Sequence, residues 1–476
     1  MLTMRTSNLA MVDHMRNLGE KNRYIQISRR ELILLKSRTM SELKFNKGAL
    51  SQIALLISLY FPPEPGGGAT TAWNRAIILS KIGYRVFVLC GFPSYPTGKV
   101  NEGDYKGKFF YLEKTDKFTL IRLRLLPLES KGLLKRFILF MNFIFLSLFW
   151  LPKILKISNK IELVYALAPN FFSCLIGYIY SKATKSFFIY EVSAFWPEEL
   201  VAFRINFYFI LAYWGKVFVK LIYTLPDMII VISELAGDYV IKKYRSKVPV
   251  YPLPIGVEPS RFPSMSKESA RRKLIQKKIL PSEIDDKFIV LYAGVMTKIT
   301  KIDILAYAAV ELKNKTDIVF LIIGEGEEKE KLIEIREANN VSNLYVLPFQ
   351  ASSLVPCIIY AADVCIVPLS NEPIYETTVP TKFYDYLACC KPQIGICEGE
   401  LAKLIKSNNI GVAVKYGDTD KLVEAILSLK NSPSSIQIMK ENSAKVLQEY
   451  TLDTLAVKFN IALKNHIMLK KNQNVK

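Results

Sequence analysis

Two short segments carry residue types and spacings suited to gripping a phosphorylated ligand. The first is Tyr60-Phe61-Pro62-Pro63-Glu64-Pro65-Gly66-Gly67-Gly68-Ala69-Thr70. Three adjacent glycines remove side chains where a ligand would meet the backbone, and a helix starting near Thr70 would aim free N–H groups at the same point. No Gly-Lys-Ser/Thr follows, so the segment is not a P-loop, and alone it reads equally well as a turn. The second is Thr377-Thr378-Val379-Pro380-Thr381-Lys382-Phe383-Tyr384-Asp385-Tyr386-Leu387. Pro380 suits a first helical turn with a threonine as cap, and Lys382 and Asp385 then share one face. A cation beside unpaired helical N–H groups suits a diphosphate, and a carboxylate suits ribose hydroxyls. The alternative is an intrahelical ion pair on a solvated face.

Other chemistries are excluded by what is missing. The only two histidines, His14 and His466, lie in terminal segments, which leaves no multi-histidine metal site or Ser-His-Asp triad within the fold. Seven cysteines form no Cys-x-x-Cys pair and mostly interrupt apolar runs, as buried thiols in a reducing compartment do.

Positioning these segments requires a frame, and the hydrophobic pattern supplies one. Apolar strands are predicted at 53–57, 86–89, 163–167, 187–192 and 228–232, with a break at Pro249–Gly256. A cleaner series follows at 288–293, 318–323, 343–347, 363–367, 393–397 and 411–414, separated by helical patterns at 303–313, 327–339, 352–361, 380–390, 399–408 and 418–430. Buried strands alternating with helices predict an α/β protein with two Rossmann-like, doubly wound domains facing a central cleft. The expected division is a basic extension (1–48), a first domain (49–249), a second domain (250–433) and a last helix, about 434–470, packing back on the first domain (434–476). The extension is poor in periodicity, Met40 is an alternative start, and no signal peptide is expected.

The chain has 476 residues and a net charge of +21, of which 1–50 hold +6, 51–250 hold +12 and 251–476 only +3. Such a field attracts polyanions, either nucleic acid or an anionic membrane face. Phe137–Leu151 is almost wholly apolar and, as a helix, about 22 Å long, short of a hydrocarbon core of roughly 30 Å. It fits a buried core helix or a helix dipping into one leaflet. The stretch 203–223 mixes aromatics, Lys and Arg as interfacial segments do.

The segment from Phe61 to Gly98 resembles the N-terminal signature of family 4 glycosyltransferases of GT-B fold, and especially bacterial L-fucosamine transferases of surface-polysaccharide synthesis. Three further blocks agree in order: 188–201 (FIYEVSAFWPEELV), 320–332 (FLIIGEGEEKEKL) and the pair ADVCIVPL…VPTKFYDYLACCKP within 362–392. The resemblance implies transfer of a sugar, such as N-acetyl-L-fucosamine or a related amino or deoxy sugar, from a nucleotide diphosphate with retained configuration. It implies no metal, no resident cofactor, and a polyprenyl-diphosphate-linked glycan as acceptor in capsule, O-antigen or exopolysaccharide synthesis. It places donor contacts at Gly66, Gly67, Gly68, Gly294, Lys298, Gly324, Gly326, Thr381, Lys382 and Asp385. Asp385 stands where the family holds ribose with Glu, and Lys382 falls on a lysine that would meet phosphate. Lys382 and Glu198, the latter in Trp196-Pro197-Glu198 near the acceptor, are the expected catalytic residues; Glu198 fits equally as a capping carboxylate. The sequence departs from the family at Thr377, Val295, Thr300, Ser193 and Ala194, with Glu376, Lys298 and Lys301 one or two places away.

These observations predict a hexosyl- or N-acetylhexosaminyl-type transferase at the cytoplasmic face of the cell membrane, held peripherally by anionic lipid. Rival readings are a degenerate subunit that binds a partner or lipid without catalysis, and a nucleotide-sugar epimerase. Nucleic acid is not an expected partner, because no base-reading motif occurs.

Overall fold

The computed structural model describes residues 52–95, 97–100, 103–128, 133–158, 160–167, 172–193, 195, 220–298 and 300–473. The basic extension, Glu198 and positions 203–219 of the aromatic stretch lie outside them.

Strand β1 (Ile53–Ile57) has no polar residue, and its side chains alternate into cores on both faces of one sheet. Leu55 and Ile57 enter one core; Ala54 and Leu56 enter the other. Around it lie β2 (Arg85–Gly91), β3 (Phe110–Lys114), β4 (Thr119–Leu123), β5 (Ile161–Leu167), β6 (Phe187–Val192), β7 (Met228–Val231) and β8 (Val250–Pro252). Their order is β3-β4-β2-β1-β5-β6-β7-β8, and only β3 runs antiparallel, against β4. The second sheet comprises β9 (Phe288–Ala293), β10 (Ile318–Ile323), β11 (Leu344–Leu347), β12 (Val364–Pro368), β13 (Gln393–Ile396) and β14 (Gly411–Val414), all parallel in the order β11-β10-β9-β12-β13-β14. Strand order reverses beside β1 in the first sheet and beside β9 in the second, so crevices open past the carboxyl ends of these strands. The glycine segment follows β1, and Gly294 follows β9.

The structure corrects several sequence expectations. The first helix spans Gly67–Lys81, so the glycines form its N-cap and first turn and not a separate loop. The β3–β4 hairpin was not anticipated, since β3 is half-exposed and lacks an apolar run; β8 lies in the expected break. The apolar helix runs Leu133–Phe149, and a second helix, Leu151–Ser158, follows at a 60° bend. Pro152 thus sits in the first turn of the second helix, where its missing N–H costs nothing.

The expected last helix is two, Pro433–Tyr450 and Leu452–Gln473, broken at Thr451. Leu447 of the first packs into a core of the second sheet, while Leu455, Phe459 and Leu463 of the other pack against the first sheet. The break is where the chain crosses back. There Val257 N–H donates to the Tyr450 carbonyl (3.0 Å) and Leu452 N–H to the Val257 carbonyl (3.1 Å). The two connections between the sheets are therefore hydrogen-bonded to each other.

Candidate functional site

The glycine segment is held by charged groups beneath it. Glu64 is buried and accepts from the N–H groups of Phe61 (3.3 Å), Ser94 (3.0 Å) and Tyr95 (3.1 Å). Burial pushes its carboxyl above the usual range, partly offset by those three N–H donors. Arg122, also buried, donates to Glu113 (2.6 Å) and to the carbonyls of Pro62 (2.8 Å) and Gly91 (3.3 Å). Loop and strand ends are thus fixed before the helix begins. Gly66 caps that helix at φ +112°, a conformation other residues rarely adopt, and no side chain caps it. Its first N–H groups therefore remain available.

Across the cleft stands the helix Thr381–Ala388, whose N-cap is Pro380; neither it nor a threonine supplies a side-chain cap. A β-carbon on Gly67 would come within 3.6 Å of the Thr381 side chain, so the two helix starts face one another. Lys382 is half-buried, with its ammonium 5.1 Å from the Tyr292 ring centroid. A β-carbon on Gly294 would lie 3.2 Å from Lys382 Cε, so glycine is what lets the lysine lie against that turn. Desolvation lowers the Lys382 pKa to about 8, against an opposing pull from Asp385. Desolvation raises Asp385 to about 6, countered by Arg261 and then Lys382. Among the described residues neither side chain has a salt bridge within 4.0 Å, so the alternative of a surface ion pair gives way to two half-buried charges that act on each other only at longer range.

Gly324 and Gly326 also carry a packing task. Added β-carbons would fall 1.9 Å from the Gly294 carbonyl oxygen and 2.1 Å from that of Met296. Gly294 N–H donates to Ile323 (3.0 Å) and Met296 N–H to Glu325 (2.8 Å), so these glycines let two backbones pack together behind Lys382. Lys298 is exposed, its backbone N–H bonded to Glu327 (3.3 Å). Thr300 is buried; its hydroxyl donates to the Thr297 carbonyl (2.7 Å) and accepts from the Thr297 N–H (3.1 Å), so it tightens the loop. Val295 offers its carbonyl to the Tyr292 hydroxyl (2.7 Å).

The described residues contain no cluster of three or more His, Cys, Asp or Glu able to hold a metal ion. Six of the seven cysteines are buried, and Cys390 is half-buried; none forms a disulfide.

Sequence reasoning missed the clamp under the cleft. Arg75, from the glycine helix, is wholly buried and forms a two-pronged pair with Glu191 at 2.8 Å. It also donates to the carbonyls of Leu253 (2.7 Å) and Pro254 (2.9 Å), and Asn74 donates to those of Ile255 (3.2 Å) and Gly256 (3.0 Å). The signal was present: Glu191 is a lone charge within the apolar strand FFIYEV.

With this geometry in view, comparison with known proteins finds similarity in the second half. Residues 275–446 match the family model for glycosyl transferases group 1. The matched region contains Gly294, Lys298, Gly324, Gly326, Thr381, Lys382 and Asp385. The chain is also similar to the putative colanic acid biosynthesis glycosyl transferase WcaI of Escherichia coli K12, at 23% identity over 168 residues. That match spans 35% of this chain and 41% of the relative's length. Among solved structures it resembles sucrose-phosphate synthase from Thermosynechococcus elongatus (TM-score 0.69, 17% identity, 88% of this chain and 100% of that one). It likewise resembles HepE of Anabaena in complex with UDP and glucose (TM-score 0.62, 13% identity, 87% and 99%). The fold is GT-B, with two Rossmann-like sheets across a cleft.

Proposed function

We propose that this protein is a retaining, metal-independent glycosyltransferase that moves an amino or deoxy hexose, such as N-acetyl-L-fucosamine, from a nucleotide diphosphate to a polyprenyl-diphosphate-linked glycan. The observation that carries the reading is Lys382, a half-buried ammonium without a salt-bridge partner among the described residues, at the first turn of a helix within the matched family region. HepE, of similar fold, was solved with UDP-glucose, which supports a nucleotide-sugar donor here. WcaI, by its name, supports surface-polysaccharide synthesis as the setting.

Chemically, the anomeric C–O bond to the diphosphate breaks, the acceptor oxygen bonds the anomeric carbon, and the acceptor proton passes to a departing phosphate oxygen. No strong protein base is required; catalysis rests on positioning and charge stabilisation. Lys382 and the helix N–H groups at Thr381 stabilise the leaving diphosphate, Asp385 holds ribose hydroxyls, and the N–H groups above Gly66 face the same ligand. Lys298, exposed at the rim, closes on the diphosphate; Glu198 serves the acceptor side. The assembly works at the cytoplasmic face of an anionic membrane.

The test is a radiolabelled transfer assay with membranes and a panel of UDP- and GDP-sugars. Wild type should transfer from one donor, and Lys382→Ala should reduce transfer about 100-fold or more, the usual effect of removing one charge-stabilising donor. Folded wild-type protein that transfers from no donor would refute the reading. Product appearing without acceptor would instead indicate an epimerase.

A further inference from the structure

The helix Leu133–Phe149 sends apolar side chains in two directions. Leu139, Phe140 and Phe143 enter the core of the first sheet. Leu134, Phe137, Ile138, Phe145 and Phe149 do not: their exposures are 72%, 43%, 38%, 65% and 63%. Leu134, Ile138, Phe145 and Phe149 fall on one stripe, since steps of four and seven residues return to the same side of a helix. A soluble surface rarely displays so continuous an apolar ridge without an occupant.

Cations flank the ridge. Lys135 and Arg136 stand in the first turns, Lys153 and Lys156 are exposed on the helix after the bend, and positions 133–158 contain no Asp or Glu. Lys153 lies 4.3 Å from the Phe110 ring centroid and 4.8 Å from that of Trp150, so the bend is built as an aromatic and cationic corner. This charge distribution disfavours a second copy of the chain, because a two-fold contact would oppose these cations with their own images. It also disfavours a spanning helix: no single described helix is long and apolar enough, and the other side of this one is buried in the core.

We infer that this ridge docks the protein on an anionic bilayer, the helix lying in the plane of one leaflet with its phenylalanines among acyl chains and its cations at the headgroups. The inference deepens the proposed function and rests on it for the choice of a lipid partner. Its placement fits the cleft. Asn142 of this helix accepts from the Leu126 N–H (3.0 Å), and Leu126 lies just past the carboxyl end of β4. That end, the end of β2 and the end of β1, which the glycine segment follows, share one edge of the sheet: Gly91 N–H donates to the Leu59 carbonyl (3.1 Å), and a β-carbon on Gly91 would come within 2.8 Å of Leu125. The first-sheet side of the cleft thus sits beside the docking helix.

The test is co-sedimentation of the full chain with vesicles of phosphatidylcholine, with and without phosphatidylglycerol. Wild type should pellet with the anionic vesicles, more strongly at low salt. Phe145→Ser with Phe149→Ser should weaken binding about tenfold or more while leaving the circular-dichroism melt and UDP- or GDP-sugar binding unchanged, since both rings are surface groups. Lys153→Gln with Lys156→Gln, which leaves the ridge intact, should weaken binding and flatten its salt dependence. Wild type that stays in the supernatant, or ridge variants that pellet as tightly as wild type, would overturn the inference. So would ridge variants that only convert a dimer to monomer in light scattering. Vesicle binding through the ridge without any nucleotide-sugar binding would leave docking standing and defeat the transferase reading instead.

Discussion

Lys382 and Asp385 are displaced in opposite directions by one cause, loss of water. For Lys382 the charged form is the one that meets a diphosphate, and its pKa is lowered to about 8 in the free protein. Donor affinity should therefore fall as pH rises above about 8, approaching tenfold per pH unit, and binding there should take up a proton. Calorimetry in buffers of different ionisation enthalpy reads both effects. Asp385 is raised to about 6, so the folded state binds its proton more tightly than the unfolded chain does. Its stabilising contribution is complete below the unfolded value near 4 and is lost as pH rises through about 6. Asp385→Asn should consequently raise stability at pH 7 by about 2 kcal/mol in urea unfolding while weakening donor binding. A carboxylate kept at an energetic cost is what a ligand-binding role leads one to expect.

At the level of the element, the turn after β9 depends on the turn after β10. The Gly294 backbone shapes the surface on which Lys382 lies, and Gly324 keeps that backbone in place. Gly324→Ala puts a β-carbon 1.9 Å from the Gly294 carbonyl oxygen, which only a backbone shift can relieve. A stability loss of about 1–3 kcal/mol and a clear loss of donor affinity should follow. Gly83→Ala is the control: φ is +101° there too, but nothing lies within 4 Å, so stability should fall by about 1 kcal/mol with donor affinity intact. Equal effects of the two variants on donor affinity would show that Gly324 acts through strain alone and not through the Gly294 turn.

Over the whole molecule, the cleft is spanned by two crossings of the chain, clasped together where Val257 meets Tyr450 and Leu452. Asn74 and Arg75 grip the first crossing from the same helix that presents the glycines. Arg75→Ala should cost about 3–5 kcal/mol in urea unfolding, because Glu191 would be left charged and buried. Arg75→Met with Glu191→Leu should recover most of that loss, yet increase amide hydrogen exchange at Leu253, Ile255 and Gly256, because the Leu253 and Pro254 carbonyls lose the arginine. If the double variant exchanged like wild type, the arginine would be a core ion pair and not a clamp on the crossing.

Much of this was legible in the amino-acid order alone. Strands such as Phe288–Ala293 and Ile318–Ile323 are apolar throughout because both their faces are buried, and such runs betray themselves. The glycine run and the Lys382–Asp385 spacing were each readable as candidates because each lies in one short segment with its helix signal. The β3–β4 hairpin was not readable, because a half-exposed edge strand has no continuous apolar run. Nor could order reveal that Gly324 and Gly326 receive a neighbouring backbone, that Arg75 reaches Glu191 and the crossing, or that the last helix breaks at Thr451. Those depend on contacts between residues far apart in the chain. Local spacing determined the types of element and the chemistry available; only tertiary packing decided which charges lost water, which glycines admitted a backbone and which phenylalanines remained outside.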